Sequence, residues 1–110
     1  YAETVKYFIN CFLGTKVSFA NEMKILCDEI DIDYDKVVEY ATYDERLGKS
    51  HWAVPGPDGE LGFGGHCLPK DISAIVNGYD DMKLLQAVLK VNDKVRKNRD
   101  WEDMKGRAVI

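Results

Sequence analysis

The densest chemistry in the chain lies between Gly62 and Asp71, in Gly62-Phe63-Gly64-Gly65-His66-Cys67-Leu68-Pro69-Lys70-Asp71. Cys67 stands just before a predicted helix whose first residue is Pro69, a position proline fits because its missing N–H would have no partner there. Helix N-termini carry unpaired N–H donors and partial positive charge, which favour thiolate over thiol. Lys70 adds a cation. Asp71, four residues after the thiol, falls in the first turn, where a carboxylate is stabilised. Gly62, Gly64 and Gly65 let backbone approach a ligand. These residues fit an activated, partly exposed cysteine nucleophile. They fit equally an inert buried thiol in an ordinary turn, and the physics of the sequence does not choose.

Other chemistries have weaker support. His66 adjoins Cys67, but sequence neighbours rarely present both side chains to one point. His51 has no CxxC or HxxxH partner, so no metal site is read. Gly62–Gly65 lacks the third glycine and the preceding strand of a dinucleotide fingerprint. Lys6 and Asn10, one helical turn apart, share a face. Lys6 either snorkels to solvent or points with Asn10 into a site.

The elements that position these groups read as all-α. Apolar residues at Ala2, Val5, Ile9, Phe12, Ala20, Met23, Cys27 and Ile30 follow a helical period broken only by Lys16. A second row, Phe8, Phe12, Phe19, Ile25 and Leu26, makes helix 2–30 apolar enough to need burial on more than one side or a partner chain. Gly14 marks a close backbone approach. Asp33 caps a shorter helix from Tyr34 to about Tyr43. Six of nine glycines and two of three prolines fall within Leu47–Leu68, the mark of one long loop. The helix from Pro69 turns Ile72, Ile75 and Val76 to the core and stops at Gly78 as its C′ residue. Asp80 or Asp81 then caps a last helix through Val95, with Lys90, Lys94, Arg96, Lys97 and Arg99 near its C-terminal dipole.

Length and composition bound the function. The 110 residues make one domain, 45% hydrophobic and 31% charged. A net charge of −4, from 15 basic and 19 acidic residues, argues against nucleic-acid binding. Uncharged runs reach only nine residues, so no membrane span is expected. Neither end reads as a signal peptide. Three cysteines, an odd count, read as free thiols of an intracellular, cytoplasmic protein. The chain opens inside a helical pattern and closes on Lys105-Gly106-Arg107-Ala108-Val109-Ile110, a turn and the start of a strand, as a piece of a longer protein would.

Taken together, Ala2–Leu13, Lys16–Glu22, Asp44-Glu45-Arg46-Leu47-Gly48 and Gly62–Asp71 resemble the central domain of the UDP-glucose/GDP-mannose dehydrogenase family. The resemblance implies a dimerising helical domain over 1–104, like the C-terminal domain of 6-phosphogluconate dehydrogenase. It also implies a nucleotide-sugar domain beginning at 105–110 and a preceding Rossmann domain, outside this chain, that binds NAD. It implies NAD-dependent oxidation of a sugar C6 alcohol to the acid through a cysteine thiohemiacetal and thioester. Cys67 would be the nucleophile, Lys6 and Asn10 would stabilise charge on the substrate oxygen, and Asp71 would handle the hydrolytic water. Phe63, Gly64 and Gly65 would line the sugar site, and Lys70 is the one residue suggested for cofactor contact. Arg46 would reach the nucleotide sugar of the neighbouring subunit, and the homodimer would form through helix 2–30. The pattern at 12–19 leans toward UDP-glucose, with GDP-mannose or another nucleotide sugar as the alternative. The fragment alone is expected to be inactive, or only a dimerisation module. The stretch His51–Leu61 is longer than in common members, and His66 replaces a more frequent Ser or Thr.

Overall fold

A computed structural model of the chain describes residues 1–97 and 99–102, and these form four α-helices with no strand. The strand start expected at 105–110 and the boundary at 104 lie outside the described residues. Helix α1 (Ala2–Glu29) has 28 residues, about 42 Å at 1.5 Å per residue, and so runs the 42 Å length of the molecule. It closes with Asp31 left-handed (φ 58°) and the Ile32 N–H donating to the Cys27 carbonyl at 3.0 Å, a Schellman-type end. Helix α2 (Tyr34–Ala41) starts where Asp33 accepts a hydrogen bond from the Asp35 N–H at 2.9 Å. A 3-10 turn (Glu45–Leu47), capped by Asp44, leads into the long loop, and a second one (Asp100–Glu102) follows α4. Helices α3 (Cys67–Gly78) and α4 (Lys83–Val95) follow.

Two apolar cores flank α1. One joins Cys11, Phe63, Ile72 and Val88, packing α1 on α3, α4 and the glycine loop. The other joins Ala20, Cys27, Tyr34 and Val54, packing its second half on α2 and the loop. Gly14 is a close approach, because a Cβ there would collide with Ile72 of α3.

Several expectations need correction. The inward face of α1 is not the large apolar stripe: Cys11, Gly14, Lys16, Ser18, Ala20, Asn21 and Cys27 are buried, while Val5, Phe8, Ile9, Phe12, Phe19 and Ile30 are exposed. Small residues admit α3, and polar ones bind neighbouring backbone: Ser18 donates to the Val88 carbonyl at 3.3 Å and Asn21 accepts from the Gly62 N–H at 3.2 Å. Lys16 therefore belongs to the buried face instead of breaking it. Helix α3 begins two residues before Pro69, since proline fits any first-turn position whose N–H lacks an intrahelical acceptor. Gly78 is the last helical residue, not the C′ stop. Neither Asp80 nor Asp81 caps α4, whose N-cap is Met82 without a side-chain bond. Arg96 stands at the C-terminus of α4 as its C-cap, and its side chain is buried.

Candidate active site

Because α3 starts at Cys67, the thiol occupies the first helical position and is exposed, not buried. Cys11 and Cys27 are buried, and burial, with the Asp71 charge added, pushes the Cys11 thiol up. One turn along α3 from Cys67, Asp71 is 0% exposed. Its Oδ2 accepts from Asn10 Nδ2 at 2.7 Å, a bond that crosses from α1 to α3. Its Oδ1 lies 3.3 Å from Lys70 Nζ. That carboxylate, paired with the ammonium, holds Lys70 above the ordinary lysine value. Lys6 lies one turn before Asn10 on α1, and Cys67 one turn before Asp71 on α3. Asn10, Lys70 and Asp71 thus meet where the first half of α1 crosses the start of α3, with Lys6 and Cys67 each one turn away along its own helix.

The loop before Cys67 is held by side chains of three other segments. The Phe63 N–H donates to Asn92 Oδ1 at 2.7 Å, and Asn92 Nδ2 donates back to the Phe63 carbonyl at 3.0 Å. The Gly65 N–H donates to Asp100 Oδ1 at 2.9 Å. Buried Arg96 bridges Asp58 at 2.9 Å and Asp100 at 3.5 Å, tying the loop around Pro57 to the glycine segment. The Phe63 ring enters the core, while Gly64 and Gly65 border a cleft of about 520 Å³ with His51, Asp58, Leu68 and Asp100. Asn92, Asn21, Asp100 and Arg96 escaped sequence reasoning. Asn92 had a signal, being the polar residue at i+7 of the stripe Leu85, Val88, Leu89.

Arg46 stands apart from this cluster. Its side chain is 88% exposed, pairs with Asp44 at 2.6 Å, and borders a separate hollow with Phe12, Phe19 and Trp52. Among the described residues no group of three His, Cys, Asp or Glu could hold a metal, and no helix is long and apolar enough to cross a membrane. A nicotinamide cofactor does not fit the glycine segment as a phosphate cradle: the Gly62, Phe63 and Gly65 amides are already bonded to Asn21, Asn92 and Asp100.

Residues 1–94 match the family model described as "UDP-glucose/GDP-mannose dehydrogenase family, central domain". The chain belongs to this family. A UDP-glucose 6-dehydrogenase of Rickettsia bellii (strain RML369-C) is 40% identical over 98% of the chain and 26% of its own length. The UDP-glucose 6-dehydrogenase TuaD of Bacillus subtilis (strain 168) is 37% identical over 86% of the chain and 20% of its own. AglM of Haloferax volcanii, also a UDP-glucose 6-dehydrogenase, is 38% identical over 84% of the chain and 21% of its own. The chain therefore spans about a quarter or less of these dehydrogenases.

Proposed function

We propose that this chain is the central helical part of a cytoplasmic UDP-glucose 6-dehydrogenase, which oxidises the sugar C6 alcohol twice to the carboxylate with NAD as hydride acceptor. The observation that carries the reading is the exposed Cys67 thiol at the first residue of α3, with the Asn10–Asp71 pair one turn away. The names of the relatives favour UDP-glucose over GDP-mannose as the sugar nucleotide. The cofactor's binding falls to another part of the longer protein, preceding this one; Lys70, paired with Asp71, is the nearest candidate here for a contact with it.

The chain's own residues act on the aldehyde and on the thioester. The Cys67 sulfur adds to the aldehyde carbon, a C–S bond forms, and the carbonyl electron pair moves to oxygen. Lys6 and the second Asn10 N–H are the donors for that oxyanion. After oxidation, water adds to the thioester carbon, Asp71 takes the water proton, and the C–S bond breaks to return the Cys67 thiolate. Gly64 and Gly65 border the cleft for the sugar, Phe63 backs it from the core, and Arg46 extends toward the sugar nucleotide of a partner subunit. The homodimer would bury the apolar outer face of α1.

In the full-length enzyme, Cys67→Ser should bind UDP-glucose while forming no acid, because a hydroxyl is a far weaker nucleophile near neutral pH. Asp71→Asn should accumulate a covalent intermediate on Cys67, read by intact-protein mass. Full turnover in Lys6→Ala and Asp71→Asn together would overturn the assignment.

A further inference from the structure

We propose that Lys16 is a positioning residue for Arg46, its buried ammonium locking onto α1 the 3-10 turn that carries the arginine. This rests on the role given to Arg46 above. Lys16 is 7% exposed, yet its side chain donates to a backbone carbonyl, that of Leu47, at 2.9 Å. Leu47 is the residue directly after Arg46. The same ammonium lies 4.7 Å from the Trp52 ring centroid and 6.0 Å from that of Phe12, so aromatic faces replace part of its hydration. Trp52 adds a second tie, its indole N–H donating to the Gly48 carbonyl at 2.9 Å, and it meets Phe19 edge to face at 6.2 Å.

A buried cation is costly, and desolvation pushes the Lys16 ammonium down from its ordinary value. A methionine would fill the same space without that cost. The ammonium contributes a fixed hydrogen bond to the turn Glu45–Leu47, whose own capping contacts come from Asp44 just before it. With Leu47 and Gly48 both tied to groups on or against α1, Arg46 extends from an anchored backbone. It stands at the rim of the hollow beside Phe12 and Phe19, on the outer face of α1. An arginine meant to meet a ligand held by another subunit needs that anchoring, because ordering a loose turn on binding weakens affinity.

The test uses initial rates of the full-length enzyme with UDP-glucose. Lys16→Met should raise KM for UDP-glucose roughly five- to tenfold with kcat within about twofold, the size of one lost ordering hydrogen bond. Lys16→Arg, which keeps a donor, should recover most of that loss. In an Arg46→Ala background, Lys16→Met should add nothing further. An equal rise in KM in both backgrounds, or no rise in the single variant while Arg46→Ala does raise KM, overturns the positioning role and leaves the Arg46 assignment standing. If Arg46→Ala changes neither constant, both fall. Should Lys16→Met not fold, Trp52→Phe replaces it: the ring stays under the ammonium while the N–H to Gly48 goes, and the same non-additivity with Arg46→Ala is expected.

Discussion

Gly64 and Gly65 adjoin one another but are glycine for different reasons. A Cβ at Gly64 would collide with the Arg96 guanidinium and lie 2.6 Å from Asp100 Oδ1, whereas at Gly65 nothing lies within 4 Å and the constraint is φ +74°. Gly64→Ala should cost about 1–3 kcal/mol by overpacking around a side chain already fixed by two carboxylates. Gly65→Ala should cost about 1–2 kcal/mol of backbone strain. Asparagine separates the two, because it tolerates the left-handed region: Gly65→Asn should be milder than Gly65→Ala, and Gly64→Asn worse than Gly64→Ala. Urea midpoints of the four variants check this. The residue types around Cys67 and the pairing of Lys6 with Asn10 on one face were readable from spacing alone. The partners of the glycine amides were not: Asn21 and Gly62, or Phe63 and Asn92, are far apart in sequence, and no local period links them.

At the scale of elements, α2 is fastened to the long loop by Tyr34, whose hydroxyl donates to the Trp52 carbonyl at 2.6 Å. Burial, with the nearby Asp35 charge as a lesser cause, pushes this phenol up to about 12. The unfolded value is about 10, so the neutral phenol is favoured in the fold. Its contribution is complete below pH ~10 and is lost as pH rises toward the folded value. Tyr34→Phe should therefore be less stable than the parent by about 1 kcal/mol near pH 8. That gap should close between pH 10 and about 12. Denaturation midpoints of both proteins across that range give the answer; a gap independent of pH would refute the assignment. Periodicity located all four helices. It missed the starts of α3 and α4, where the deciding factor is which N–H groups lack acceptors instead of which side chains are apolar.

For the whole molecule, the outer face of α1 is the outstanding surface, with Phe8 76% and Phe12 56% exposed beside Ile9 and Phe19. Large aromatic groups clustered on one helix suit the proposed homodimer. The chain should sediment as a dimer at micromolar concentration, and Phe12→Asp should shift it to monomer, since burying an unpaired carboxylate costs several kcal/mol. Monomeric parent protein would remove this reading. The sequence showed that α1 had more apolar surface than one core uses, but not which row faced outward. Large residues read as core by default, and here the core side is made of small and polar groups.

Helix α1 behaves like a keyed shaft: one rigid rod carries Asn10 to Asp71 at one station and Asn21 to Gly62 at another. Each residue turns the rod by about 100°, so the two stations engage together only at the native spacing. One alanine inserted after Thr15 adds no bad contact of its own and keeps a good helix former in a helix. It should nonetheless leave far-UV helicity nearly unchanged while abolishing cooperative unfolding, because either key fits only when the other does not. The same insertion between Asp80 and Asp81, in the exposed turn before α4, should be absorbed with little change in the melt. Between Asn10 and Asn21 this helix is thus intolerant of length change even where it tolerates changes of side chain.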